Sequence, residues 1–330
     1  MNYDKTNTDI LYCKTRVSPI AYIPADKAGT YRPDAQTSQY GIKLPFRVDS
    51  YTAEETWGKG GMSETYKGKD EQGNEVIIKI PKYDPDIEKR FLSECTILRK
   101  LDSPYIAKWL ADGVQELQGQ PRPYLVMSFV HGQTLRQRIT SNQHTPWNDV
   151  SAMLENIAKA LKHLHEQGYC HRDIKPENLI YDQDNGRWVL VDFGIAHENR
   201  PEHLLLTLLQ NDGTWNYMSP EQQTNKASDI RSDIYALGTC AWEALIGTLP
   251  QRGTALPSKY ELNGKLAVND VSSEVDNLIE MMTEHHPEDR FQTPDDLLLA
   301  LKTTSSLVKA KLIVERKWKR WLKLIIFAIS

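Results

Sequence analysis

The sequence predicts an α+β chain of two lobes, a small β-rich lobe carrying one helix followed by a larger helical lobe. Three observations support that expectation. Short apolar runs between turn residues dominate from Phe46 to Phe129. From Val150 onward apolar residues recur at helical spacing instead. The stretch Tyr169 to Ile180 packs ionisable residues between apolar neighbours, the pattern of a loop that holds chemistry in place. A length of 330 residues, with 40% hydrophobic and 25% charged, suffices for about two domains around a large core.

Residues 1–45 have scattered prolines and no sustained period, so an extended N-terminal segment is expected, with a docking arm as the alternative. They lack a charged start followed by an apolar core and a cleavage site, which predicts no secretory signal and a cytoplasmic chain. The four cysteines, Cys13, Cys95, Cys170 and Cys240, show neither pairing nor metal spacing and fit a reducing compartment as small buried residues. A net charge of −4 argues against nucleic-acid binding.

The β pattern begins at Phe46. Tyr51 to Trp57 leads into Gly58-Lys59-Gly60-Gly61-Met62-Ser63, and after a turn at Glu71 to Asn74 comes the strand Glu75 to Ile80. Glycines in such a turn let backbone N–H groups approach phosphate oxygens, although a plain tight hairpin reads the same way. Lys79 is an isolated cation in an otherwise apolar strand, where an unpaired charge is costly, so it needs an anionic partner. The helix expected over Asp86 to Leu101 places Glu94 among its apolar residues; pairing of Glu94 with Arg90 is the alternative. Strands are expected at Trp109 to Val114 and Tyr124 to Phe129, ending at His131-Gly132.

In the second lobe, helices are expected over Val150 to His165, stopped by Gly168, and over Ile234 to Ile246, apolar enough to be buried on most sides. Val275 to Met282 and Pro294 to Leu301 read as amphipathic helices that close the domain. His163, His165 and His171 read as structural or exposed. The segment from Gly194 to Glu221 lacks periodicity and is long enough to be functional or mobile.

Chemistry concentrates around the central loop. Asp173 and Asn178 lie five apart, and a hairpin through Asp184-Asn185-Gly186 returns along Trp188 to Val191 to deliver Asp192-Phe193-Gly194. Two carboxylates and an amide then meet at strand ends. Phosphoryl transfer uses this set, one carboxylate orienting the attacking hydroxyl while the other, with an amide oxygen, holds hard cations against phosphate.

With these residues in order, residues 46–306 resemble a eukaryotic-type protein kinase domain, most like the bacterial serine/threonine kinases. The resemblance rests on the glycine loop, Lys79, Glu94, His171-Arg172-Asp173 with Asn178, Asp192-Phe193-Gly194, Ser219-Pro220-Glu221, Asp233 and Arg290, each where the family places it. It implies a first lobe over 46–130 and a second over 131–306, joined at a hinge. It implies ATP and Mg2+ as cofactors, and proteins bearing serine or threonine as substrates. Lys79 would hold the α and β phosphates and pair with Glu94, Asp173 would orient the acceptor hydroxyl, and Lys175 would neutralise the transferring phosphate. Asn178 and Asp192 would hold the metal. Nucleotide contacts are implied for Gly58, Lys59, Gly60, Gly61, Met62, Ser63, Thr65, Ile77 and Lys79, with Met127 as gatekeeper and Ser128, Phe129 and Val130 as the hinge that reads adenine through backbone groups. Glu221 would pair with Arg290, and Asp233 would fix the loop backbone. Departures are Ser63 for the third glycine, Ser219 before Pro220-Glu221, Ser128 after the gatekeeper, and Thr65 and Ile77 over the adenine slot. The implied activity is an ATP-dependent serine/threonine protein kinase that autophosphorylates between Ile195 and Ser219, with Thr207 as the candidate beside Arg172; a pseudokinase or nucleotide-binding scaffold is the alternative.

From Leu307 the composition changes. Seven basic residues among Lys309 to Lys323 oppose an apolar face that includes Trp318, Trp321 and Ile325, a pattern suited to an anionic membrane surface. The tail 307–330 is therefore expected to be peripheral or anchored at the inner face of the cell membrane, with packing on the large lobe as the alternative; a homodimer stays open.

Overall fold

A computed structural model describes residues 42–59, 62–142, 145–193, 214–224, 228–249 and 273–308. The first lobe is an antiparallel sheet of β1 (Phe46–Val48), β2 (Tyr51–Lys59), β3 (Ser63–Lys69), β4 (Glu75–Pro81), β5 (Trp109–Leu117) and β6 (Gln120–Ser128), in the spatial order β1-β2-β3-β4-β6-β5. Alternation sorts its residues between two cores. Tyr66, Val76, Ile78, Ile80 and Val126 face an outer cluster with Val48 and Ala53. Leu125 and Met127 join the main core, against which Ile77 packs. Thr65, Lys79 and Leu125 stand in one cross-strand row, and Lys67, Ile77 and Met127 in the next. Partners in a row share a face, so Lys79 emerges beside Thr65 and Ile77.

Helix α1 (Pro85–Leu98) starts where the Asp84 carboxylate accepts hydrogen bonds from the backbone of Asp86 and Ile87, with Pro85 preset for the first turn. It stops short of the expected Leu101, because beyond Leu98 the backbone tightens, Lys100 N bonding to Ile97 O and Leu101 N to Leu98 O three residues back. The loop that follows is fastened to the second lobe. Asp102 N donates to His163 Nε2 at 3.2 Å, Ala107 N to Leu190 O at 3.0 Å and Leu190 N to Tyr105 O at 2.8 Å.

The second lobe begins with β7 (Gly132–Thr134), which pairs with β8 (Leu179–Asp182) and, beyond it, β9 (Arg187–Leu190). A side chain at Gly132 is impossible in this backbone, since its Cβ would stand 1.8 Å from the Tyr181 carbonyl oxygen. Helix α2 (Leu135–Asn142) is an element the sequence reading passes over. Its signal is present: Thr134 Oγ1 accepts from Gln137 N while Gln137 Oε1 accepts from Thr134 N, and Leu135 and Ile139 are buried four apart.

The remaining helices are α3 (Trp147–Glu166), the short α4 (Pro220–Gln223), α5 (Ile230–Ile246), α6 (Ser273–Met282) and α7 over 294–308. α5 is buried almost all round and packs against α3 and α6, as its apolar composition requires. Asn156 on α3 holds the β hairpin by accepting from Trp188 N at 2.9 Å. Helix α7 runs through the expected boundary at 306 and buries Val308 in the main core, while at the other end Ile42, ahead of Phe46, is buried in the outer cluster. Cys95, Cys170 and Cys240 are buried and form no disulfide among the described residues; Cys13 lies outside them. No helix among the described residues is long and apolar enough to cross a membrane.

Candidate active site

Lys79 leaves β4 into the cleft between the lobes. Its Nζ lies 2.6 Å from Glu94 Oε1 and 2.9 Å from Asp192 Oδ1. The open choice for Glu94 therefore falls to Lys79, which a buried carboxylate on the core face of α1 can reach. Burial opposes the lysine charge, but the charges of Asp192 and Glu94 outweigh it and hold the ammonium above the usual lysine range. The same Glu94 oxygen accepts from Phe193 N at 3.3 Å, so one side chain positions both the lysine and the residue after Asp192. Asp192 takes a left-handed backbone, φ 65°, a conformation that a non-glycine residue holds only when its surroundings demand it.

The central loop begins where α3 ends at Gly168, φ +81°. Asp233, near the start of α5, accepts backbone hydrogen bonds from His171 at 2.8 Å and Arg172 at 2.6 Å. Two consecutive N–H groups converging on one carboxylate accompany the left-handed turn at Arg172, φ 65°. Burial pushes Asp233 up to about 6 despite those donors. His171, lowered to about 4 by burial, is neutral; its Nδ1 accepts from Asp173 N at 3.3 Å, and its ring meets the Phe193 edge at 4.7 Å. It is structural, as expected.

Asp173 is buried, and its two oxygens differ. Oδ2 accepts from Lys175 Nζ at 2.7 Å and Asn178 Nδ2 at 3.2 Å, whereas Oδ1 is buried without a hydrogen-bond partner among the described residues. Burial, helped by the Asp192 charge and opposed by Lys175, pushes its pKa up to about 6. Asn178 Nδ2 also donates to the Asp173 carbonyl at 2.8 Å, so both of its hydrogen bonds to Asp173 are made through the amide nitrogen.

On the opposite wall, Thr65, Ile77, Lys79 and Met127 share the cleft face of the sheet. Gly58 pairs with Thr65 across β2 and β3, Ser63 stands opposite Pro81, and the Met62 carbonyl accepts from Lys82 N. At the hinge, Ser128 N donates to Lys108 O at 2.9 Å and Phe129 N to Glu75 O at 3.4 Å, leaving the Val130 N–H as the hinge donor without a partner among the described residues. Gly60, Gly61, Gly194, Thr207, the side chain of Lys59 and the tail 309–330 lie outside the described residues; of Thr214 the side chain does as well.

Beyond the segment that follows Asp192, Glu221 meets Arg290 through two contacts of 2.7 and 2.9 Å and accepts from Ser232 Oγ at 2.6 Å. Burial would raise the Glu221 pKa, but these donors lower it to about 2. Breaking such a buried pair costs about 3–5 kcal/mol. Gln222 then ties the same segment to the central loop, its Nε2 donating to Arg172 O at 3.3 Å. A further cluster, Arg136 with Glu177, Tyr217 and Glu243, was not legible beforehand, since its members are scattered along the chain with no period or spacing to link them.

The sequence matches the protein kinase domain over residues 51–299. It is 31% identical over 280 residues to a probable serine/threonine-protein kinase of Corynebacterium efficiens, covering 78% of this chain and 42% of that protein. It is likewise 31% identical over 263 residues to the serine/threonine-protein kinase PknB of Mycobacterium tuberculosis, covering 76% of this chain and 42% of that one. The chain thus matches less than half the length of these relatives. The crystal structure of the Mycobacterium tuberculosis PknI kinase domain shares the fold, with a TM-score of 0.60 at 22% identity over 80% of this chain and 99% of that one.

Proposed function

The chain is a member of the protein kinase domain family, and on that premise we propose that it is a serine/threonine protein kinase, moving the γ-phosphoryl group of ATP to hydroxyls of protein serines and threonines. One observation supports this above the others. Lys79, held by Glu94 and Asp192, stands in the same cleft as Asp173, whose unpartnered Oδ1 is the atom a hydroxyl donor would meet. Lys175 and Asn178 fix Oδ2, so the carboxylate cannot rotate away, and the hydroxyl proton passes to Oδ1 as attack begins. Lys79 binds the phosphates that stay behind, and Lys175 neutralises charge on the group that moves. The donor set at Asp192 and Asn178, one carboxylate and one amide oxygen, fits Mg2+, a hard ion usually held by few protein oxygens together with phosphate. When bound, that ion supplies positive charge against phosphate oxygens. Thr65, Ile77, Met127 and the hinge from Ser128 to Val130 receive the base.

The purified chain incubated with labelled ATP, magnesium and an acceptor protein should place label on serine and threonine, and excess chelator should abolish it. Nucleotide binding without any transfer would make the chain a scaffold. The same phosphosite mapping reads whether Thr207 becomes labelled.

The partner reading extends to a cytoplasmic chain whose basic tail meets the anionic inner surface of the cell membrane. In vesicle flotation, the full chain should rise with anionic lipids and fall away in high salt, while a version ending at Val308 stays down. Equal behaviour of the two would remove the tail from this role.

A further inference from the structure

Arg136 on α2 joins four elements. Its Nε donates to Glu177 Oε1 at 2.8 Å, its Nη1 to Glu243 Oε1 at 2.6 Å and its Nη2 to Glu243 Oε2 at 3.2 Å and to the Tyr217 hydroxyl. That hydroxyl donates in turn to Glu243 Oε2 at 2.5 Å, and burial keeps it protonated by raising its pKa. Glu177 belongs to the turn Pro176–Asn178 of the central loop, Tyr217 to the turn Thr214–Tyr217, and Glu243 to α5. One guanidinium therefore answers two carboxylates. The Glu243 side chain is 7% exposed, but that of Glu177 is 47% exposed and Arg136 itself 32%, so the cluster opens to solvent on the side of the catalytic loop.

We propose that Arg136 fills from within a diacidic site beside the acceptor position and thereby removes the preference for a basic residue that the two carboxylates would otherwise impose on acceptor sequences. The inference rests on the kinase reading above. An extended peptide that brings a hydroxyl to Asp173 advances about 3.3 Å per residue, so side chains two or three positions from the acceptor sweep the surface that holds Glu177. Without Arg136, the paired carboxylates would attract a lysine or arginine of the substrate. With it, they are already met by a cation preorganised on α2, which a peptide residue would have to displace. A merely structural role for the cluster predicts no effect on which charges a substrate carries.

The test uses the full chain and a peptide panel in which one serine acceptor is flanked by alanine, or by a single arginine at each of the three positions on either side. The wild type should phosphorylate neutral and basic peptides with kcat/KM values within about tenfold of each other. Arg136→Gln should favour a basic peptide by more than about tenfold, through KM, and Arg136→Gln with Glu177→Gln should lose that gain. A wild type that already selects arginine by more than this overturns the proposal without any variant, which matters because removing Arg136 uncovers Glu243 and can cost folding. A folded Arg136→Gln that remains indifferent overturns it too. Failure to transfer phosphate to any peptide would instead overturn the kinase reading, and this inference with it.

Discussion

Lys79→Met is expected to lower kcat about a thousandfold, corresponding to about 4 kcal/mol of transition-state stabilisation. The lysine is the cation through which β4, α1 and the Asp192 loop are joined, and methionine keeps its length without its charge. Two effects must be separated. Breaking a buried ion pair also costs stability, because Glu94 is left on the core face with 3% of its side chain exposed. Burial and the Asp192 charge then act on Glu94 against only the Phe193 N–H and push it toward the neutral acid, which limits the loss. The variant should therefore stay folded with a melting temperature several degrees lower, and the rate loss should persist well below that melt. Wild-type turnover in the folded variant would remove Lys79 from the chemistry.

Asp173→Asn should cut kcat by a similar factor, about a thousandfold, while ATP binding changes little. The amide keeps the shape and the contact with Asn178 but offers a weaker acceptor to the hydroxyl and to Lys175. The pH profile gives an independent reading. With a pKa pushed up to about 6, the carboxyl is protonated below that pH and ionised above it, so only the upper side provides the base. Wild-type kcat/KM should rise through about pH 6 and level off above it, and the residual value of the asparagine variant should lack that rise. A rise of the same midpoint in both would assign the titration to another group.

How much of this was legible depended on whether a residue's local setting conflicted with its chemistry. Lys79 in an apolar strand was such a conflict, and it pointed to the need for an acid before any fold was known. Glu94 was ambiguous, since Arg90 lies four residues earlier on the same helix; only the packing of α1 against the sheet decides between them. The pairing of Lys79 with Asp192 spans 113 positions and left no mark in either segment. Helix α2 was hidden by its polar composition, although its Thr134 to Gln137 capping pair was readable. The unequal oxygens of Asp173 depend on side-chain directions that spacing cannot express.

The strap that fastens residues 102–107 to α3 and β9 determines how the cleft can open. Besides the cleft contacts of Lys79 with Asp192 and of Glu94 with Phe193, the strap and the chain passing through Ser128 to Val130 attach the first lobe at two separated points, and two points define an axle. Swinging about that axle would break only the cleft contacts, whereas sliding along it would break the strap itself. Helix α1 ends beside the strap, so it moves as a lever pivoted near its C-terminal end. Glu94 sits about 6 Å from Leu98 along the helix axis, while Pro85 sits about 20 Å out. A swing that displaces the outer end by several ångströms moves the glutamate by about a third as much, and the lysine contact lies on the short arm.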